Sequence, residues 1–173
     1  AKVSNDVDQC LALIDGLLTR FPGDDEFELL RLQHLLNAST MTDAGKLNDI
    51  LQTANGHAVR LRMDLNDDSL RLNQLAWMLS ESEHRKGLDL SIAESAAERA
   101  VELTMESEAS SLETLARVRF RRGNIEDAVA AQTRAIKLSP GDASLQETLS
   151  VFHRAASSEV EKAGFQDSKP DKG

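Results

Sequence analysis

The sequence predicts an all-α chain built as a stack of helical hairpins, and three observations predict it. Two alanine ladders, Ala93–Ala100 and Ala128–Ala135, match each other 35 residues apart. Each follows a Leu-x-x-Leu-Ala segment, Leu72-Asn73-Gln74-Leu75-Ala76 and Leu112-Glu113-Thr114-Leu115-Ala116. The composition is rich in Ala and Leu, with only 3% aromatic residues and no Tyr. A period of this length marks stacked supersecondary units rather than a closed globule around one pocket. Small residues let helices approach closely, and Leu fills the seams between them.

The first helix is expected over about 5–20, where Val7, Cys10, Leu11, Ile14, Leu17 and Leu18 form one apolar stripe. Phe21-Pro22-Gly23-Asp24 ends it, and Asp24 or Asp25 caps the second. The second runs to about Asn37 and is apolar on several sides, as expected of an inner-layer helix. Ala38–Thr42 reads as a connector, with Thr42 or Asp43 as the next cap. A third helix over 43–61 carries Leu47, Ile50, Leu51, Ala54, Ala58 and Leu61 in phase, with a break expected near Asn55-Gly56. Asn66–Ser69 supplies a cap for a fourth, over 70–81. A charged loop follows over 80–87, then the first ladder helix over 89–105. Helices over 110–122 and 124–138, joined at Gly123, form the clearest hairpin, and Pro140-Gly141 ends it. A closing helix is expected over 143–157, with a flexible tail over 159–173.

At 173 residues the chain is long enough for one domain with a sizeable core. Its net charge of −9 argues against nucleic acid, whose phosphates need clustered Lys and Arg. No apolar run is long enough for a membrane span. The opening Ala1-Lys2-Val3-Ser4 is no signal peptide and lacks an initiator Met, as expected of a processed protein or an excised fragment. A single Cys excludes an internal disulfide and leaves the compartment open.

These features resemble the tetratricopeptide repeat (TPR) family. The best repeat spans 109–142: Leu112, Leu115 and Ala116 on its first helix, Gly123 at the turn, Ala128 and Ala135 on its second, and Pro140 beyond. The preceding repeat, over 69–107, matches at Leu72, Leu75, Ala76, Ala93 and Ala100 but has a longer internal loop, with Met105 in place of the proline. Phe21-Pro22-Gly23-Asp24 parallels Ser139-Pro140-Gly141-Asp142, which places Cys10 and Leu17 at the register of Ala128 and Ala135. The first helix therefore looks like the second half of a hairpin without its first half. The resemblance is strong over 70–157 and weak over 38–63. It implies a right-handed superhelical stack of about eight helices over 1–158, with 5–61 as degenerate N-terminal helices.

Candidate chemistry is sparse. Cys10 reads as a small core residue of the stripe. His34, His57, His84 and His153 show no metal-ligand spacing. There is no phosphate-cradling Gly-rich loop and no Gly-x-Ser-x-Gly elbow, so no enzyme and no cofactor are expected. Glu94, Glu98, Glu102 and Glu106 form a row opposite the alanines, read as a solvated outer face with a basic partner as the alternative. Arg117, Arg119, Arg121 and Arg122 crowd one helix C-terminus, where the dipole favours them and where a carboxylate grip is conceivable.

The resemblance implies a non-catalytic interaction module that binds a peptide or protein segment in a concave groove. By the same analogy Asn73, Trp77, Ser80, Arg117, Phe120 and Arg121 line that groove, with a core position as the other reading of Trp77. The Lys and Asn clamp of chaperone-binding members has no counterpart here. The alternative is an accessory region of a larger bacterial protein, following a thioredoxin-like or other catalytic domain, with a scaffolding or oligomerisation role. Self-association through the N-terminal helix is a further expectation.

Overall fold

A computed structural model describes residues 2–40, 44–82 and 87–167. Among these there are eight helices and no strand: α1 (Lys2–Arg20), α2 (Asp25–Thr40), α3 (Ala44–Asp64), α4 (Ser69–Glu81), α5 (Leu90–Leu103), α6 (Ala109–Arg121), α7 (Ile125–Leu138) and α8 (Ala143–Asp167). Helix α2 pairs with α3, α4 with α5, and α6 with α7 as successive hairpins. Helix α1 packs on α2 without a hairpin partner among the described residues, and α8 closes the stack on α7. First helices lie beside first helices, α2 by α4 and α4 by α6, while α3 lies by α5. This is a helical solenoid.

Local chemistry sets the helix ends. Asp24, Asp68, Asp89 and Asp142 each turn a carboxylate onto free N–H groups at the start of α2, α4, α5 and α8. The Arg71 N–H, helped by its guanidinium, holds Asp68 below the usual carboxylate range, and the Ser91 hydroxyl, helped by the Ser91 N–H, does the same for Asp89. Helix α6 ends in a Schellman turn: Asn124 N–H donates to the Arg119 carbonyl, Gly123 N–H to that of Phe120, and Gly123 sits at φ +86°. Helix α5 ends the same way, with Glu106 N–H on Val101 and Met105 N–H on Glu102. There a side chain, Met105, takes the left-handed position at φ 49°.

Both ladders are buried. Ala93, Ala96, Ala97 and Ala100 join the main core, and Ala128 and Ala131 meet Ala116 and Phe152 in a second cluster under α6, α7 and α8. Only small side chains fit such close crossings.

Three expectations need correction. Helix α3 runs unbroken through Gly56, because Ala54, Ala58 and Leu61 pack on both sides of it. Asn55 is not a breaker but a clamp: its Nδ2 donates to the Gly87 carbonyl (3.1 Å) and its Oδ1 accepts from Asp89 N–H (2.9 Å), fixing the end of the α4–α5 loop. Helix α8 extends through Asp167, beyond the 143–157 expected of the closing helix; the rest of the expected tail, 168–173, lies outside the described residues. Cys10 is exposed rather than core, since no described helix covers that side of α1. The proposed α3 caps, Thr42 and Asp43, and most of the charged loop, including His84, lie outside the described residues.

Candidate functional site

The arginine quartet on α6 divides by helical phase. Arg119 and Arg122 turn toward α5. Arg119 donates to Glu94 (3.1 Å) and Glu98 (2.9 Å), and Arg122 pairs with Glu94 as well. The remaining glutamates of that row are also matched, Glu102 by Arg99 and Glu106 by Arg134. The row lies on an exposed face, as a solvated outer surface would, with each carboxylate paired to an arginine of the chain. Its first two members, Glu94 and Glu98, join α5 to the next hairpin through Arg119 and Arg122, with only Glu94 largely buried.

Arg117 and Arg121 turn to the other side, the face carried by α2, α4, α6 and α8. Arg117 donates to Glu113 (2.7 Å) and to the Thr148 hydroxyl on α8 (3.0 Å), and its guanidinium lies 5.2 Å above the Trp77 ring. Arg121 pairs with Glu81 at 2.5 Å. Both cations are already satisfied within the fold, so neither is a free carboxylate grip.

Trp77 belongs to the face and not the core, with 41% of its surface exposed. Phe120 is half-buried and stacks on Phe152 of α8, ring centroids 4.4 Å apart. Asn73 is half-buried, and its Oδ1 is buried without a hydrogen-bond partner among the described residues. Ser80 departs from expectation. It is fully buried and its hydroxyl donates to the Trp77 carbonyl, so it offers nothing to a ligand. It occupies on α4 the turn that Phe120 occupies on α6, but its side chain is too short to emerge.

Two depressions indent this face among the described residues. One, of about 420 Å³, lies between α6 and α8 and is lined by Arg117, Phe120, Arg121, Thr148, Val151 and Phe152. The other, of about 400 Å³, lies between α2 and α4 and includes Leu29, Leu30, Gln33, Leu70, Gln74 and Met78. Leu30, Leu70, Trp77 and Val151 are all exposed, so each of α2, α4 and α8 presents apolar side chains on this face. The α2 and α8 contributors were not singled out from the sequence. Their signal was present as apolar residues, Leu30 and Val151, falling outside the buried phase of each helix.

Elsewhere the titratable groups are structural. Buried His57 donates from Nε2 to the Glu28 carbonyl (2.8 Å) and accepts at Nδ1 from Arg60 (2.9 Å). Burial is the chief reason its pKa lies below the ordinary imidazole value. It ties α3 to α2 in its neutral form. No cluster with the makings of a metal site occurs among the described residues. No described helix is long and apolar enough to cross a membrane.

The same fold occurs in solved proteins. Two crystal structures of MamA superpose on the chain, each with a TM-score of 0.58. The chain resembles MamA in fold. One alignment has 15% identity and covers 90% of this chain and 82% of that one; the other has 14% identity and covers 96% and 82%. At such identity the likeness concerns the helical solenoid alone. No protein-family model matches the chain, and no curated protein matches it.

Proposed function

We propose that this protein is a non-catalytic interaction module that binds a peptide or protein segment along the face of α2, α4, α6 and α8. The observation that carries this reading is the exposed apolar run Leu30, Leu70, Trp77 and Val151, indented by two cavities. Large apolar side chains exposed beside two depressions on one face mark a contact surface. The fold of MamA, a helical repeat structure, agrees with a presenting role. Random-peptide display against the folded chain tests it. Selected peptides are expected to lose about tenfold or more in affinity to Trp77→Ala and Val151→Glu. They are expected to be indifferent to Val59→Ser and Met63→Ser, which change exposed residues of α3. Equal losses on both faces, or none on either, overturn the proposal.

A second reading rests on α1. Cys10, Leu13 and Leu17 form an exposed stripe, with Leu13 71% exposed. In the complete hairpins the equivalent positions are covered by a first helix. We infer that a second copy covers the stripe by pairing α1 with α1 about a two-fold axis, which makes the stripe its own complement. Light scattering should then show a concentration-dependent dimer that Leu13→Asp abolishes. A monomer at high concentration contradicts this reading.

A further inference from the structure

The interaction face is not uniform along the stack. Its two cavities are nearly equal in size and stand on either side of a ridge, where Arg117 of α6 lies over Trp77 of α4. One cavity sits between α2 and α4, the other between α6 and α8. Neighbouring packed helices lie about 10 Å apart, so two helix spacings separate the cavities by roughly 20 Å. A chain advancing about 3.3 Å per residue covers that span in about six residues.

The charges on the face define the occupant further. Arg71 is held by Asp68 and Glu26, Arg117 by Glu113, and Arg121 by Glu81. Each cation has a carboxylate, and the carboxylates outnumber the cations. An acidic segment would have to displace these internal pairs and approach a chain of net charge −9. An uncharged or weakly basic segment meets no such opposition.

Resting on the groove reading above, we propose that the occupant is an extended, neutral-to-basic peptide segment crossing the first helices. It carries two large apolar side chains about six residues apart, one for each cavity, with a flat, uncharged residue between them over the Trp77–Arg117 ridge. The ridge disfavours a bulky branched side chain at the middle position.

The test is a series of synthetic peptides, each with two leucines three to ten residues apart in a Ser/Gln host with one Lys. Affinity is measured by fluorescence polarisation. Separations near six are expected to bind about tenfold tighter than separations of three or ten, and Lys→Glu in the host should weaken every member. Leu30→Ser should remove the benefit of one leucine and Val151→Ser that of the other; both residues are exposed, so folding should survive. Trp77-dependent binding that ignores the separation overturns the two-anchor proposal while leaving the groove reading intact. Failure of the whole series to bind, while display-selected peptides do bind in a Trp77-dependent way, also overturns it. Failure of both the series and the selected peptides removes the groove reading itself.

Discussion

Leucine placed at two equivalent registers of the repeat should have opposite consequences. Ala128 is fully buried against Ala116, Ala131 and Phe152 where α6 crosses α7. Cys10 holds the same register on α1 but is exposed, because the helix that would cross it is missing among the described residues. Ala128→Leu inserts an isobutyl group into a close-packed crossing, and overpacking of this kind costs roughly 1–3 kcal/mol. For a domain of this size 1 kcal/mol corresponds to about 2–4 °C in Tm, so a drop of several degrees is expected. Cys10→Leu meets no opposing backbone and should stay within about 0.5 kcal/mol of wild type. Thermal and urea unfolding followed by circular dichroism at 222 nm read both. Equal effects at the two sites, or an unchanged Tm for Ala128→Leu, would refute the shared register and the open side of α1.

Other expectations follow from single contacts. Met105→Gly removes an exposed side chain from a left-handed residue and should raise stability by up to about 1 kcal/mol, whereas Gly123→Ala should lower it by about 1 kcal/mol; paired urea melts check both. Gly87→Ala drives a new methyl group into Leu51 Cδ1, so the buried Leu51 must shift; a loss of about 1 kcal/mol is expected, larger when combined with Asn55→Ala. His57 binds a proton less readily in the folded chain than in the unfolded one, where its pKa is about 6.5. Its contribution is therefore complete above about pH 6.5 and is lost as pH falls through that value toward the lower folded pKa. Protonation would place a charge in a buried site, which is the main cost; Glu28 favours the imidazolium and offsets part of that cost, while Arg60 and Arg31 add to it. Urea midpoints measured from pH 8 to 5 should fall for wild type and vary less for His57→Gln; parallel curves would exclude His57 as the source.

Much of the fold was legible because it rests on periodicity. The ladders, the Leu-x-x-Leu-Ala segments and the Pro-Gly punctuation report helix crossings and turns, and these are local in sequence. Even the lack of a hairpin partner for α1 among the described residues agrees with the parallel between Phe21–Asp24 and Ser139–Asp142. The burial of Cys10 was misjudged for the same reason. Register says which side chain faces a crossing helix, but not whether that helix is there. Asn55-Gly56 misled because propensity speaks for a break, while tertiary packing of Ala54 and Ala58 and the bonds to Gly87 and Asp89 override it.

The site was legible only in outline. Trp77, Arg117, Phe120 and Arg121 fall on one face because the helical phase of α4 and α6 puts them there. Ser80 does not join them, since phase gives direction and not reach. The pairing of Arg117 with Glu113 is an i, i+4 contact readable from sequence. The matches of Arg121 with Glu81 and Arg119 with Glu94 depend on how hairpins stack, so the arginine quartet looked freer than it is.

Trp77 is the sole tryptophan in the chain and stands at the centre of the proposed groove, so its emission reports directly on occupancy of the face. Titration with a display-selected peptide that contains no Trp is the most direct test. A segment lying across α4 and α6 should cover the ring, shift its emission to the blue and protect it from acrylamide quenching, with a midpoint equal to the affinity measured independently. Saturating, independently verified binding that leaves Trp77 emission and quenching unchanged would contradict the account.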